Sequence, residues 1–240
     1  MIHYHGADLD GKFCVKFFKK KDALISFPRR SNQVIITEIC RSFVFDNGAF
    51  SLWKSGKKTE WDKFYVWVDE WKYHPRFQWF IIPDVINGSE QENDELIKQS
   101  PFPDYISVPV YHLGESFSRL NKLAERFPRI AIGSTQGYQL KTMRFYNEMR
   151  KIFNTICCKQ GIPKTKIHGL RMLETEIVKS FPFSSCDSAG ASIIAIYNSS
   201  WNYPYAPKNK ASRATLYADK IEEIQSPSFY EFKPTQMELI

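Results

Sequence analysis

Cysteine is scarce and scattered in this sequence. The five cysteines are odd in number and form no Cys-x-x-Cys pair; they are Cys14, Cys40, Cys157, Cys158 and Cys186. A disulfide framework normally uses an even set of cysteines, and structural zinc sites use closely spaced cysteine pairs. The pattern therefore argues against both, and we expect reduced thiols.

Long apolar runs are missing as well. No apolar segment reaches the roughly 18 residues needed to cross a bilayer. The first ten residues, MIHYHGADLD, contain neither the basic nor the apolar segment of a secretory signal. These absences predict a soluble, cytoplasmic protein with no membrane partner.

No glycine-rich phosphate-binding fingerprint follows any predicted strand, so the usual signature of a nucleotide-binding open sheet is absent. Short apolar runs instead predict eight strands. They are Ile2–His5, Phe13–Phe17, Ser42–Phe45, Trp79–Ile82, Ile106–Val110, Arg129–Ile132, Lys166–Leu170 and Phe183–Cys186.

Helical patterns lie between several of these strands. The clearest are Trp61–Trp71, Asn93–Lys98, Ser116–Phe127, Lys141–Gly161 and Leu173–Lys179. A strand followed by a helix indicates a parallel sheet. About eight such strands in 240 residues favour an α/β fold of the compact (β/α)8, or TIM barrel, type with some shortened connections. A doubly wound open sheet is the alternative.

The composition is that of a chain with one large core. Of the 240 residues, 43% are hydrophobic and 15% are aromatic, which is compatible with a single domain. We predict one domain over residues 1–240, with its core over about residues 2–192. Clear periodicity is lost after Trp201, and we expect residues 193–240 to form a C-terminal extension that packs on the barrel.

Positive charge is in excess, with a formal net charge of +7 and a pI near 9.0. Basic residues cluster in Lys16–Lys21, Pro28–Arg30, Ser55–Lys58 and Lys208–Arg213. Such clusters attract polyanions, above all nucleic acids, although single clusters are often only solvated faces.

Three carboxylates each follow an apolar strand: Asp46, Asp84 and Asp187. In a barrel of parallel strands, the carboxyl ends of the strands line the active site. One acid in such a site can act as a nucleophile while a second transfers a proton. The same strand ends carry His5, Asn47, Gly48, Phe50, His112, Gly133, Ser134, His168 and Arg171.

At these positions the sequence resembles the queuine/archaeosine tRNA-guanine transglycosylase superfamily. FDNGAFSLW is similar to the Asp-Ser-Gly-Gly-Phe-Gln motif of that superfamily, IPDVI to its base-recognising strand, AIGS to its glycine-rich strand, and SSCDSAGAS to its nucleophile strand. Together with HYHG, PVYHLGES and HGLRMLE, these motifs most resemble the short phage and bacterial proteins related to DNA 7-deazaguanine transglycosylases of the DpdA type. The similarity runs from about Ile2 to about Ser192.

The resemblance implies a role for each acid. Asp187 would attack the anomeric carbon of a guanosine nucleotide, expel guanine and hold the sugar as an ester until a 7-deazaguanine, such as 7-cyano-7-deazaguanine, displaces it. Asp46 would protonate the departing guanine and take a proton from the incoming base. Asp84 would accept hydrogen bonds from the guanine edge.

The remaining strand-end residues would bind the substrate. The backbone of Gly133 and Ser134 would contact the base, and Phe50 would stack on it. Asn47, Gly48, His5, His112, His168 and Arg171 complete the predicted substrate-binding set, with Arg171 directed at a phosphate or at Glu174.

The sequence departs from the tRNA enzymes in two respects. Those enzymes carry a C-terminal Cys-x-Cys-x-x-Cys and a later His that bind zinc, whereas no cysteine follows Cys186. Asn47 and Ala49 also replace a Ser and a Gly of the motif. We therefore expect no zinc subdomain, no metal and no cofactor, and favour DNA over tRNA as the nucleic-acid partner.

The partners that the resemblance implies are DNA, a free 7-deazaguanine base and, given the short chain, a separate DNA-recognition subunit. The location it implies is the cytoplasm of a bacterial or phage-infected cell. Three other functions remain open: a tRNA-guanine transglycosylase, a non-catalytic nucleic-acid-binding barrel, and a metal-dependent hydrolase. The hydrolase would use His3 and His5 as the His-x-His of a first strand.

Overall fold

The structure, a computed structural model, describes residues 1–7, 11–56, 59–135, 137–196, 205 and 207–232. Within these residues, nine strands form one parallel sheet in the order β5-β4-β3-β2-β1-β9-β8-β7-β6. The strands are β1 Ile2–Gly6, β2 Asp22–Ser26, β3 Ser42–Asp46, β4 Phe77–Ile81, β5 Ser107–Val108, β6 Val110–His112, β7 Arg129–Gly133, β8 Lys166–Gly169 and β9 Ser185–Ser188.

The sheet curls into a barrel because its two terminal strands, β5 and β6, adjoin in the chain. Only Pro109 separates them, and a proline cannot donate a ladder hydrogen bond. The N–H of Ile82 donates to Val108 O on one side of this segment, and the N–H of Ala131 donates to Pro109 O on the other. Residues 107–112 therefore occupy one of eight barrel positions, and the chain has the predicted (β/α)8 barrel fold.

Helices surround the sheet. Those in the described residues are α1 Gly11–Phe18, α2 Gln33–Ile39, α3 Ala49–Ser55, α4 Trp61–Trp71, α5 Glu90–Lys98, α6 Phe117–Arg126, α7 Met143–Ile156, α8 Thr175–Ser180, α9 Gly190–Ile196 and α10 Lys210–Glu222. Ser89 begins α5 with a reciprocal capping box, in which Glu92 is the partner. In this part of the chain, no helix combines the length and the apolar character that crossing a membrane requires.

The barrel buries both faces of its strands, which explains their nearly continuous apolar sequences. One core fills the barrel interior, where side chains from successive strands meet; it consists of Tyr4, Leu24, Val44, Trp79, Ile81, Val108, Val110 and Ala131. A larger core lies between sheet and helices. There Phe45 of β3 stacks on Trp67 of α4 with ring centroids 3.7 Å apart.

The structure corrects the sequence prediction near the N-terminus. The predicted strand Phe13–Phe17 belongs to α1, in which Cys14, Phe17 and Phe18 are buried at helical spacing while Val15 is 49% exposed. The second barrel strand is instead Asp22–Ser26, a segment without a predicted element. A short apolar run of five residues fits both a strand and one face of a short helix, so periodicity alone could not decide.

The C-terminal part of the chain contains a helix that the sequence did not indicate. Helix α10 packs against α9 and α1. The buried Lys21 reaches Asp219 of α10 at 2.7 Å and Glu222 at 3.2 Å. Residues 197–204, 206 and 233–240 of the predicted extension lie outside the described residues.

Candidate active site

A cavity of about 250 Å³ opens at the carboxyl end of the barrel. All eight barrel positions contribute to its lining, which includes Gly6, Ala7, Leu24, Ser26, Arg29, Asp46, Asn47, Phe50, Ile81, Asp84, Val110, His112, Gly133, Ser134, Leu170, Arg171, Asp187 and Ala189. The three acids singled out in the sequence, Asp46, Asp84 and Asp187, therefore face one space.

Asp46, the last residue of β3, has an environment that favours its protonated form. Burial raises the pKa of Asp46 to about 6, and the charges of Asp187 and Asp84 act in the same direction. Two donors oppose this rise: the Ser26 hydroxyl, 2.8 Å from Oδ2, and the backbone N–H of Gly48. A carboxyl group with a pKa near neutrality can both donate and accept a proton.

Asp187 lies on β9 and is only 5% exposed. Its Oδ1 accepts a 2.8 Å hydrogen bond from the backbone N–H of Arg171. Nε2 of His168 lies 3.3 Å from the same oxygen but without hydrogen-bond geometry. No hydrogen bond from the described part of the chain reaches Oδ2, which is therefore the oxygen available to a substrate. The small residues Gly6 and Ala189 line the cavity beside it and leave room for a ligand.

Asp84 follows β4 and is held by donors on both oxygens. Nδ2 of Asn47 lies 2.8 Å from Oδ1, and Nε2 of His112 lies 2.9 Å from Oδ2. Each carboxylate oxygen has two lone pairs, so one site on each oxygen remains for a substrate donor. Asp84 is thus fixed in orientation while keeping the capacity to accept.

His112 carries a positive charge next to Asp84. Burial alone would lower the pKa of His112, but the hydrogen bonds to Asp84 and Glu115 outweigh it and raise the pKa to about 9. Oε2 of Glu115 also accepts from the buried guanidinium of Arg119 at 2.6 Å. Asp84 is therefore connected, through His112, to the buried ion pair of Glu115 and Arg119.

An aromatic–cation pair lies at the mouth of the cavity. The guanidinium carbon of Arg171 is 3.6 Å from the centroid of the Phe50 ring. Arg171 thus contacts Phe50, while Glu174, its predicted alternative partner, pairs with Lys141. Deeper in the cavity, a Cβ on Gly133 would lie 3.3 Å from Val110 and 3.4 Å from His112, so a larger residue would crowd both the wall and His112.

Two of the predicted substrate contacts are corrected by the structure. His5 points away from the cavity, and its Nε2 lies 2.8 Å from Glu222 of α10. His168 is fully buried beneath Asp187, with Nδ1 2.9 Å from the Ser185 hydroxyl. Burial lowers the pKa of His168 despite the adjacent Asp187, so the ring is neutral at pH 7. Neither ring lines the cavity.

Gly48 contributes through its backbone. It adopts a left-handed φ of 78° at the start of α3, and a Cβ there would lie 2.3 Å from the Pro28 ring. Its N–H is directed at Asp46. The other predicted residues of the site, namely Asn47, Phe50, His112, Gly133, Ser134 and Arg171, all line the cavity.

Three residues of this site were not among the predicted site residues. Ser26, at the end of β2, donates a hydrogen bond to Asp46, and Glu115, after β6, accepts one from His112. Arg29 lines the cavity. Ser26 was missed because β2 was not predicted. Glu115 stands within the quoted PVYHLGES motif, three residues after His112, and that spacing was the available signal.

The His-x-His of the hydrolase alternative does not reach the cavity. Nε2 of His3 lies 2.7 Å from Ile224 O, and His5 contacts Glu222, so both rings lie on the helix side of β1. Among the described residues, no group of three or more His, Cys, Asp or Glu side chains is arranged to hold a metal ion.

Comparisons with known proteins bear on the fold alone. The sequence matches no protein-family model and no curated protein. Two mutant forms of the tryptophan synthase alpha-subunit from Pyrococcus furiosus are similar in structure, each with a TM-score of 0.54, at 14% and 12% identity. The first match covers 92% of this chain and 95% of the other, and the second covers 93% and 98%. A protein from Aquifex aeolicus VF5 matches with a TM-score of 0.54 at 13% identity, over 96% of this chain and 93% of the other.

Proposed function

We propose that this protein is a DNA-guanine transglycosylase that replaces guanine with a 7-deazaguanine base. The observation that carries the proposal is the pairing of Asp46 and Asp187 in one cavity with different environments. The pKa of Asp46 is raised to about 6, whereas Asp187 accepts a backbone N–H on one oxygen and leaves the other available. Two carboxyl groups in different environments are typical of enzymes that divide acid and nucleophile roles.

The first half of the reaction forms an ester. Oδ2 of Asp187 attacks the anomeric carbon of the target nucleotide, and the bond from that carbon to the guanine nitrogen breaks. The electron pair of that bond leaves with the base, which takes the proton of Asp46. Oδ1 becomes the ester carbonyl oxygen and stays within reach of the Arg171 N–H.

The second half reverses these steps with a new base. Asp46, now ionised, removes the ring N–H proton of the incoming 7-deazaguanine. The resulting nitrogen electron pair attacks the anomeric carbon, and the Asp187 carboxylate leaves. The Arg171 N–H stabilises the charge that returns to Oδ1. The cycle is balanced, since one proton leaves Asp46 and one returns.

Asp84 suits recognition of a guanine-like edge. The N1–H and exocyclic amine of guanine are two adjacent donors, and a carboxylate can accept from both. Asn47 and His112 donate to Asp84 and hold it as an acceptor. Adenine presents an acceptor at the equivalent ring position and would face Asp84 unfavourably.

The basic clusters contribute unequally to DNA binding. Arg29 of the Pro28–Arg30 cluster lines the cavity, where a phosphate next to the target base would lie. In contrast, Lys21 is buried against α10, and Arg213 is buried with its guanidinium on Pro207 O and Lys208 O. Lys57 and Lys58 of the Ser55–Lys58 cluster lie outside the described residues. We therefore assign phosphate binding to the rim of the cavity.

Isotope-labelled guanine, incubated with the protein and either single-stranded DNA or tRNA, tests the proposal. Label incorporated into DNA, and lost in Asp187→Asn, is the expected result. Incorporation into tRNA alone would move the assignment to a tRNA-guanine transglycosylase. Incorporation into neither, together with no covalent adduct, would contradict the proposal and favour a nucleic-acid-binding barrel without catalysis.

A further inference from the structure

Trp53 differs from the other tryptophans of the described residues. Trp67 and Trp79 are buried at 5% and 3% exposure, and Trp61 and Trp71 pack partly against the core. Trp53, on α3, is 42% exposed. Its side chain is turned toward solvent. Exposed aromatic side chains that adjoin one another often mark a binding surface, whereas a single one needs no explanation.

Trp53 continues a surface that begins inside the cavity. Its ring lies 5.8 Å from the ring of Phe50, one helical turn earlier, and Phe50 lines the cavity and is 36% exposed. The two rings are tilted by 41° to each other. They form an aromatic step, defined here as Phe50 and Trp53, that leads from the catalytic acids to the outer surface.

Positive charge surrounds the aromatic step. The Arg171 guanidinium covers one side of Phe50, and Lys54 is exposed beside Trp53. Arg29, also exposed, lines the same mouth. Aromatic rings interleaved with cations are the usual means of binding an unpaired strand, because bases stack on the rings while the cations meet the phosphates.

We propose that the aromatic step binds an unpaired DNA strand, with the base next to the target guanine stacked on Trp53. This inference rests on the proposed function and names the form of its substrate. In a continuous duplex the neighbouring base is already stacked on both sides, so its face is not available to Trp53. An unpaired strand presents that face without the cost of opening a duplex.

Fluorescence anisotropy of labelled oligonucleotides provides the test. We expect Trp53→Ala to weaken binding of a single-stranded DNA oligonucleotide containing one guanine by roughly 5- to 150-fold, as found for other base-stacking aromatics. Trp53→Phe should retain most of the affinity. Tyr105→Ala is the matched control, because Tyr105 is 73% exposed just before β5, at the opposite end of the barrel. It should bind like the wild type.

An abasic site next to the guanine identifies the stacked base. Placed on the side that stacks, it should weaken binding to the wild type and leave binding to Trp53→Ala unchanged. The same loss in both proteins, from an abasic site on either side, would overturn the proposal. So would Trp53-dependent binding that is stronger for a fully paired duplex, or for RNA of the same sequence, than for single-stranded DNA.

A second copy of the chain is the competing occupant of this surface. If Trp53→Ala turned a dimer into a monomer in sedimentation and left oligonucleotide affinity unchanged, the surface would be a dimer contact and the proposal wrong. The outcomes also separate the two proposals. Trp53-dependent binding without any base exchange would contradict the proposed transglycosylase activity and leave strand binding by the aromatic step standing. Base exchange that does not depend on Trp53 would contradict strand binding by the aromatic step and leave the transglycosylase activity standing.

Discussion

The backbone N–H of Arg171 donates a 2.8 Å hydrogen bond to Oδ1 of Asp187, and Arg171 makes it from a left-handed conformation with φ at 56°. Non-glycine residues pay a conformational cost in this region, typically about 1–3 kcal/mol. The backbone after β8 thus adopts an unfavourable conformation at the point where an N–H meets the proposed nucleophile.

Two substitutions at Arg171 separate its backbone from its side chain. Arg171→Gly keeps the left-handed backbone and its N–H, so covalent adduct formation at saturating DNA should stay near the wild-type rate. Because the substitution removes the guanidinium, KM for DNA should rise. Arg171→Val also removes the guanidinium, but a β-branched residue disfavours this φ. We expect it to slow adduct formation by a further tenfold or more. Single-turnover kinetics measure both, and equal rates for the two variants would contradict the role of the N–H.

Asp187→Asn should abolish the adduct without unfolding the protein. The amide preserves the shape and can still accept the Arg171 N–H, but it is too weak a nucleophile to attack a sugar carbon. Intact-mass measurement after incubation with a guanine-containing DNA oligonucleotide and denaturation gives the result, and peptide mapping locates the adduct. Asp69→Asn, an exposed acid on α4, is the control. Exchange at the wild-type rate by Asp187→Asn would exclude Asp187 as the nucleophile.

Adduct formation should depend on pH through Asp46. In the proposed reaction, release of guanine needs Asp46 protonated. Because the pKa of Asp46 is about 6, the rate should be level below pH 6 and fall about tenfold per pH unit well above it. Asp46→Asn should form the adduct slowly at every pH, without this fall in rate. The Ser26 hydroxyl stabilises the ionised form of Asp46, so Ser26→Ala should raise the pKa of Asp46 and move the fall in rate to higher pH. Ser55→Ala is the control. If Asp46→Asn showed the same fall in rate above pH 6 as the wild type, Asp46 would not be the proton donor.

His112 should act on base selection by positioning Asp84. His112→Leu leaves the buried carboxylate without a charged donor, which typically costs about 1–3 kcal/mol or more. We expect KM for guanine-containing DNA to rise roughly tenfold or more, and the preference for guanine over hypoxanthine, which lacks the amine, to shrink. His112→Gln keeps a donor and should recover part of both. His74→Gln, before β4, is the control; undiminished discrimination in His112→Leu would show that Asp84 needs no such support.

DNA affinity should fall steeply with salt. Each phosphate neutralised by a cation contributes a slope of about −0.9 for duplex DNA and about −0.7 for a single strand in a plot of log affinity against log salt. Arg29→Ala should make the slope shallower by about one such unit, whereas Lys159→Ala, between α7 and β8 at the opposite end of the barrel, should not change it. A flat response in the wild type would exclude a phosphate-binding surface.

Seven of the eight predicted strands overlap strands of the barrel, and the three acids near their carboxyl ends could also be identified from the sequence. Asp46, Asp84 and Asp187 each stand after a run of apolar residues, and parallel strands bring such positions to one edge whatever the details of packing. That rule placed these three acids in one cavity, together with His112, Gly133 and Ser134, although β2 was assigned to the wrong segment.

Which side of each strand faces the interior was decided by the tertiary structure. Both faces of a barrel strand are buried, so the apolar pattern does not show which residues point inward. In β1 the inward residue is Tyr4, and His5 therefore points outward to Glu222. In β8 the inward residue is His168, but its ring lies one layer of side chains below the cavity. The raised pKa of Asp46 likewise depends on burial and on the nearness of two other acids. Asp84, 38 positions away in the chain, follows the neighbouring strand β4, whereas Asp187, 141 positions away on β9, comes near because the sheet curls into a barrel.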